Sequence, residues 1–200
     1  MTKERLYLYD TTLRDGQQTQ GVQFSTSEKK QIAQALDTLG VDYIEGGWPG
    51  ANPTDSEFFE AKPKMAATFT AFGMTKRAGM SAENDDVLAA VLNAGTPAVC
   101  LVGKSHDFHV DKALGITLAE NTENIAKSIA HIKAQGREAL FDAEHFFEQF
   151  AVRFWRQLMV ERVGDNAIHA VVRFTRLRGV LMLEVHCKVL LVGQHIAVLQ

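Results

Sequence analysis

The sequence predicts an α/β fold with a parallel sheet over residues 1–150, and three observations support this. Short β-rich runs alternate with amphipathic helical patterns, and this alternation is typical of βαβ units. Most of the predicted strands end in a Gly-rich or charged loop. The whole chain has 200 residues, of which 46% are hydrophobic, so it can bury a core of ordinary domain size.

The predicted elements begin with the strand RLYLYD at residues 5–10. The first helix covers residues 25–40, because Ser25 and Glu28 have the spacing of a capping box and Gly40 is a C-terminal stop signal. The other predicted elements are a strand at 41–47, a helix at 56–62, a strand at 64–73, a helix at 81–95 capped by Ser81, a strand at 97–103, a helix at 118–136 and a strand at 137–147.

About four and a half βα units fit two architectures, an open doubly wound sheet and a closed (β/α)₈ barrel. A closed barrel typically needs about 250 residues, so length favours the open sheet. The first βα loop, DTTLRDGQQ, has no G-x-G-x-x-G with which to bind a dinucleotide. The residues alone therefore leave both architectures open.

The composition of the chain changes near residue 150. Residues 1–150 hold ten Lys and four Arg against 21 acidic residues, a charge of −7, whereas residues 151–200 hold one Lys and six Arg against three acidic residues, a charge of +4. Ten of the last fifty residues are valine. We therefore divide the chain into a domain over 1–150 and a divergent segment over 151–200.

Several classes of function are disfavoured by composition. A net charge of −3 without a basic, aromatic face disfavours a nucleic-acid partner. The sequence lacks an apolar run of 18 residues, so we expect no membrane partner and a cytoplasmic location. The spacing of Cys100 and Cys187 suits neither a disulfide framework nor a zinc site, and we expect both to be buried hydrophobic residues.

Polar side chains gather where the predicted strands end. In either architecture these ends meet in one cleft. An Arg beside a carboxylate suits a site that holds an anion near a divalent cation, and it equally suits an ordinary ion pair. The polar residues at or just after the predicted strand ends are Asp10, Arg14, Asp15, Glu45, Thr70, Lys104, Ser105, His106, Asp142, Glu144 and His145.

Two further groups have alternative interpretations. His106 and His109 have a spacing that allows metal ligation, although such pairs are more often surface histidines. Glu144 follows a strand beside aromatic residues, so it is a candidate general base with a raised pKa, or else a capping or ion-pair residue.

The motif TLRDG at residues 12–16, directly after the first strand, resembles a signature of one enzyme group. Together with EGGWPGANPTD at 45–55 and FDAEHFF at 141–147, it makes residues 4–148 similar to the amino-terminal part of citramalate synthases. These belong with the isopropylmalate and homocitrate synthases and the hydroxymethylglutaryl-CoA lyases.

This resemblance implies the first five βα units of a (β/α)₈ barrel, and an acyltransferase that condenses acetyl-CoA with a 2-oxo acid. Pyruvate would be the oxo acid, Mg²⁺ or Mn²⁺ the metal, and branched-chain amino-acid synthesis the pathway. By resemblance Asp15 is the metal ligand and contacts substrate, Arg14 binds the oxo-acid oxygens, and Glu144 is the carboxylate near the substrate.

The chain departs from the family pattern after residue 150. The family's His-x-His metal motif does not occur in this sequence. We therefore expect weak or no catalysis, and a truncated or frame-shifted segment over 151–200, unless His169, His186 and His195 supply the missing ligands. Five strands would leave two unpaired edges that favour association, including a homodimer. A non-catalytic half-barrel partner and a lyase are the alternative functions.

Overall fold

The computed structural model describes residues 7–61 and 63–144 with their side chains, and three later strands by their backbone. The strands are β1 (Tyr9–Asp10), β2 (Tyr43–Gly47), β3 (Thr68–Met74), β4 (Ala98–Lys104), β5 (Glu138–Glu144), β6 (His169–Phe174), β7 (Cys187–Val192) and β8 (His195–Leu199). The α-helices are α1 (Thr26–Leu39), α2 (Pro53–Glu60), α3 (Asp86–Asn93), α4 (Asp107–His109) and α5 (Leu118–Ala134).

The strands form one eight-stranded sheet in the order β1 to β8. Strands β1 to β6 are parallel, and β7 and β8 are each antiparallel to the preceding strand. The first five strands with their helices are a partial (β/α)₈ barrel, as the resemblance implied. The prediction that β5 has an unpaired edge is wrong, because β5 pairs with β6, with Leu140 opposite His169.

Helix α1 agrees with its sequence signals. The Ser25 hydroxyl accepts a bond from the Glu28 amide while the Glu28 carboxylate accepts one from the Ser25 amide, so both halves of the capping box are present. The helix ends at Gly40, whose φ of 86° is in the left-handed region that glycine adopts without strain.

Two helices begin at other residues than predicted. Helix α2 begins at Pro53, because the Asn52 side chain accepts a bond from the Asp55 amide and proline suits the first helical turn. Helix α3 begins at Asp86, because Asp85 and not Ser81 is its N-cap, and residues 82–84 form a separate 3₁₀ turn.

The sheet buries side chains on both faces, which explains the continuous apolar runs of its strands. The outer face packs against the helices through residues such as Ile44, Phe69 and Leu101. The inner face holds Tyr9, Tyr43, Phe72, Ala98, Cys100 and Leu140. Cys100 is thus a buried hydrophobic residue as expected, and the side chain of Cys187 lies outside the described residues. Within the residues described, none of the helices has the length and apolar character needed to cross a membrane.

The Asp85 cap gives a test of this part of the fold. Its carboxylate accepts bonds from the amides of Val87, Leu88 and Arg77. We expect Asp85→Ala to lower the free energy of unfolding by about 1–2 kcal/mol in urea denaturation. The exposed Asp86 is the matched control, since Asp86→Ala removes a surface ion pair and an acidic charge in the first helical turn but no N-cap bond, and it should cost less than Asp85→Ala.

The cap also makes stability depend on pH. Burial alone would raise the pKa of Asp85, but hydrogen bonds from the amides of Arg77 and Leu88 outweigh burial and lower it. A lowered carboxyl pKa stabilises the fold fully above the ordinary value of about 3.9, and this contribution is lost as pH falls through the lowered value. Identical acid unfolding of Asp85→Asn and the unsubstituted chain would contradict this.

Candidate functional site

The loop after β1 is a tight turn that fixes the start of the site. The Asp10 carboxylate accepts bonds from the amide and the hydroxyl of Thr12. The Thr11 carbonyl accepts bonds from the amides of Arg14 and Asp15 at 3.1 and 2.8 Å. Asp10 therefore shapes the loop, whereas Arg14 and Asp15 are the residues that the loop presents.

Arg14 lies at the centre of the site and is only 8% exposed. Its Nε donates to Glu45 Oε1 at 2.6 Å, and its Nη1 donates to Asp15 Oδ1 at 3.1 Å. The guanidinium carbon lies 3.7 Å from the centroid of the Phe72 ring, a cation–π contact. Two carboxylates and one aromatic face thus fix the plane of the guanidinium group.

Glu45 is fully buried on β2, and its carboxylate accepts hydrogen bonds from both Arg14 and Tyr9. It accepts a hydrogen bond from the Tyr9 hydroxyl of β1 in addition to the bond from Arg14. Burial, together with the nearby charge of Glu45, raises the pKa of Tyr9 well above its usual value. Tyr9 therefore remains a protonated donor at neutral pH, and Glu45 remains paired on both sides.

The charge of Arg14 is secured by its neighbours. Burial alone would lower the pKa of Arg14, but Glu45 and Asp15 outweigh it and the pKa is raised. Asp142 of β5 also contributes an attractive interaction. The site therefore has a permanent cation among carboxylates that come from the loop after β1, from β2 and from β5.

A second ion pair lies where β4 and β5 end. Lys104 and Glu144 are opposite one another in the parallel register, and the Lys104 ammonium donates to the Glu144 carboxylate. The Ser105 hydroxyl donates to the Glu144 carbonyl, and Asn121 of α5 donates to the Lys104 carbonyl at 2.9 Å. Glu144 thus forms an ion pair, and about a quarter of its side chain is exposed.

Other predicted candidates have local partners. The Thr70 hydroxyl bonds the Thr68 carbonyl of its own strand at 3.2 Å. His106 caps α4 through its Nδ1, which accepts the Phe108 amide at 3.1 Å, and its ring stacks on His109 with centroids 4.9 Å apart. His145 and His186 lie outside the described residues, as do the side chains of His169 and His195.

Sequence reasoning missed the buried pair of Lys29 and Asp55. The side chain of Lys29 is 0% exposed and forms an ion pair with Asp55. A signal was available, because Lys29 precedes Ile32, Ala33 and Leu36 at helical spacing and so lies on the apolar stripe.

A divalent metal requires several oxygen or nitrogen ligands around one point. Within residues 7–61 and 63–144, no three His, Cys, Asp or Glu side chains gather to hold an ion. Asp15 presents one carboxylate beside Arg14. The described residues therefore do not by themselves fit a complete metal site.

The fold and the site together define a partial (β/α)₈ barrel with an arginine–carboxylate centre at the carboxyl ends of its strands. The chain belongs to the HMGL-like family, whose model matches residues 5–170. This match extends past the change in composition near residue 150.

Particular relatives agree with the resemblance. The chain is 46% identical to an (R)-citramalate synthase of Streptomyces coelicolor over 152 residues and 47% identical to one of Synechocystis over 151 residues. Each match covers 74% of this chain, which spans only 28% of the relative's length. A solved HMG-CoA lyase of Bacillus subtilis superposes with a TM-score of 0.62 at 15% identity, over 84% of this chain and 58% of that one, which confirms the fold.

The shared carboxylate of Glu45 can be tested by substitution. Glu45→Gln leaves a buried guanidinium without its nearest countercharge, so we expect the free energy of unfolding to fall by about 3–5 kcal/mol. Tyr9→Phe removes the hydroxyl that donates to the same carboxylate and should cost roughly 1.5–3 kcal/mol. A loss in Tyr9→Phe that equals or exceeds the loss in Glu45→Gln, measured by denaturant unfolding, would show that Arg14 does not depend on Glu45.

Proposed function

We propose that this chain forms the amino-terminal part of an acyltransferase that condenses acetyl-CoA with a 2-oxo acid, in the manner of citramalate synthase. The proposal assigns pyruvate as the oxo acid and branched-chain amino-acid synthesis in the cytoplasm as the setting. It is supported by the identity of 46–47% to (R)-citramalate synthases. The observation that carries it is the buried Arg14, held by Glu45 and Asp15 against Phe72.

Arg14 is the proposed binding group for the oxo acid. A guanidinium group has five N–H donors, and Glu45 and Asp15 use one donor each. Donors therefore remain for the carboxylate or keto oxygens of a substrate, and a guanidinium fork matches their geometry. Because the Phe72 ring and Glu45 already fix the guanidinium plane, little ordering remains to be done when the anion binds.

Glu144 is the proposed carboxylate near the reacting carbon atoms. Condensation requires the acetyl methyl group to lose a proton, and a partly exposed carboxylate at a strand end can accept one. Lys104 fixes the orientation of Glu144 through their ion pair across β4 and β5. This pair lies at the same edge of the sheet as Arg14, because both follow the carboxyl ends of parallel strands.

Asp15 is the proposed metal ligand. A divalent metal in such a reaction would supply Lewis acidity toward the keto oxygen, and hard carboxylate oxygen suits Mg²⁺ or Mn²⁺. The sequence has no His-x-His motif, and the described residues bring no three ligands together. We therefore expect metal binding by this chain to be weak and its turnover to be slow.

Titration calorimetry of the 200-residue chain with Mg²⁺ or Mn²⁺, in the presence of pyruvate, tests this function. We expect a dissociation constant near 1 mM, about −4 kcal/mol of binding free energy. Asp15→Ala should weaken binding at least tenfold, since it removes the proposed ligand and leaves Arg14 in place.

The matched control is Asp111→Ala. Asp111 is an exposed carboxylate that pairs with the neighbouring Lys112, so its loss should leave metal binding unchanged. Equal affinities of the unsubstituted chain and Asp15→Ala, or no binding by the unsubstituted chain, would exclude Asp15 as a metal ligand here.

A further inference from the structure

The side chain of Lys29 lies wholly inside the protein although α1 is otherwise a surface helix. Its ammonium group donates to the Leu13 carbonyl at 2.9 Å, to the Gly46 carbonyl at 3.0 Å and to the Asp55 carboxylate. An ammonium group has three N–H donors, so these three acceptors use all of them. The position of the Lys29 ammonium group is therefore fixed by three hydrogen bonds.

The two carbonyl groups that Lys29 contacts belong to residues adjacent to the site. Leu13 immediately precedes Arg14, and Gly46 immediately follows Glu45. The Arg14–Glu45 ion pair joins the same two segments through side chains. One buried ammonium group therefore ties the β1–α1 loop to the end of β2 behind the pair.

Asp55 extends this contact on the other side. Its Oδ2 accepts the Trp48 amide at 2.8 Å, and its Oδ1 accepts Gln17 Nε2 at 3.4 Å. A Cβ atom at Gly47 would lie 2.5 Å from the Asp55 carboxyl carbon, and Gly47 has φ of 147°, so only glycine allows this close approach.

A second route leads from Asp55 back to Arg14. The Trp48 ring packs edge-on against Phe72 with centroids 5.6 Å apart. Phe72 in turn provides the aromatic face beneath the Arg14 guanidinium. Asp55 thus holds the backbone of Trp48, and the Trp48 ring packs against Phe72, the aromatic residue under Arg14.

From these contacts we infer that Lys29 and Asp55 are positioning residues, which hold the Arg14–Glu45 pair in the geometry that receives the substrate anion. That the pair receives a substrate anion rests on the proposed function, whereas the claim that Lys29 and Asp55 hold the pair in place does not. A buried ion pair is weak evidence for stability, because desolvation offsets its attraction. What this pair adds is directional bonding to the backbone on both sides of the site.

The Lys29 ammonium group is buried and is paired with Asp55. Burial lowers the pKa of Lys29, and the hydrogen bond and charge of Asp55 oppose this shift. Removing Asp55 alone would therefore leave a desolvated charge, so a test has to remove both charges together.

Hydrogen exchange followed by NMR on the full chain without substrate tests the inference. The variants are Lys29→Met, Lys29→Met with Asp55→Asn, and Lys30→Met, in which the adjacent exposed lysine is the matched control. The double substitution avoids an unpaired buried charge, so it keeps the protein folded if Lys29→Met alone does not. The probes are the Arg14 Nε–H and the amides of Arg14 and Asp15.

In the double variant we expect these three hydrogens to exchange about tenfold faster or more, because methionine cannot donate to the Leu13 and Gly46 carbonyls. Exchange in β4 and α5 should stay unchanged, and Lys30→Met should match the unsubstituted chain throughout. Unchanged Arg14 exchange in the double variant, or a uniform increase over the whole chain, would overturn the inference. Since no ligand is present, either result stands whether or not the chain binds pyruvate and metal.

Discussion

The ion pair between Arg14 and Glu45 is the interaction on which the site depends. It joins the loop after β1 to β2 with a separation of 2.6 Å between Nε and Oε1, and both side chains are buried. A charge taken out of water costs several kcal/mol unless it is paired and hydrogen-bonded. Tyr9 on one side and Asp15 on the other complete that pairing. The fold therefore keeps a permanent cation at the strand ends with its charge paired by carboxylates.

The surrounding structure supports this pair from two directions. Phe72 supplies an aromatic face from β3, while Lys29 bonds the backbone behind both partners. The parallel register makes such convergence possible, because consecutive strands end at one edge of the sheet. The same edge carries Glu144 of β5, which is paired with Lys104 of β4. The groups that we propose for substrate binding and for proton transfer thus lie at the ends of different strands of one sheet, because Arg14 follows β1 and Glu144 ends β5.

The sequence predicted much of this arrangement, for identifiable reasons. Alternating apolar runs, capping residues and TLRDG predicted the parallel sheet and located Arg14, because these signals are local. Partners that are distant in sequence were less accessible. The capping role of Asp85 was assigned to Ser81, since both residue types cap helices and only packing decides between them. Lys29 was missed because a buried lysine depends on an acceptor 26 residues away.

The most direct test of the account is the response of the Arg14 guanidinium to a 2-oxo acid. The ¹⁵N resonance of Arg14 Nε should be followed during titration with pyruvate, with acetone as a control that keeps the ketone and lacks the carboxylate. The account predicts a saturable shift with pyruvate and none with acetone, because the fixed guanidinium binds an anion. No shift with pyruvate, or equal shifts with both compounds, would contradict the claim that this buried cation is a substrate-binding group.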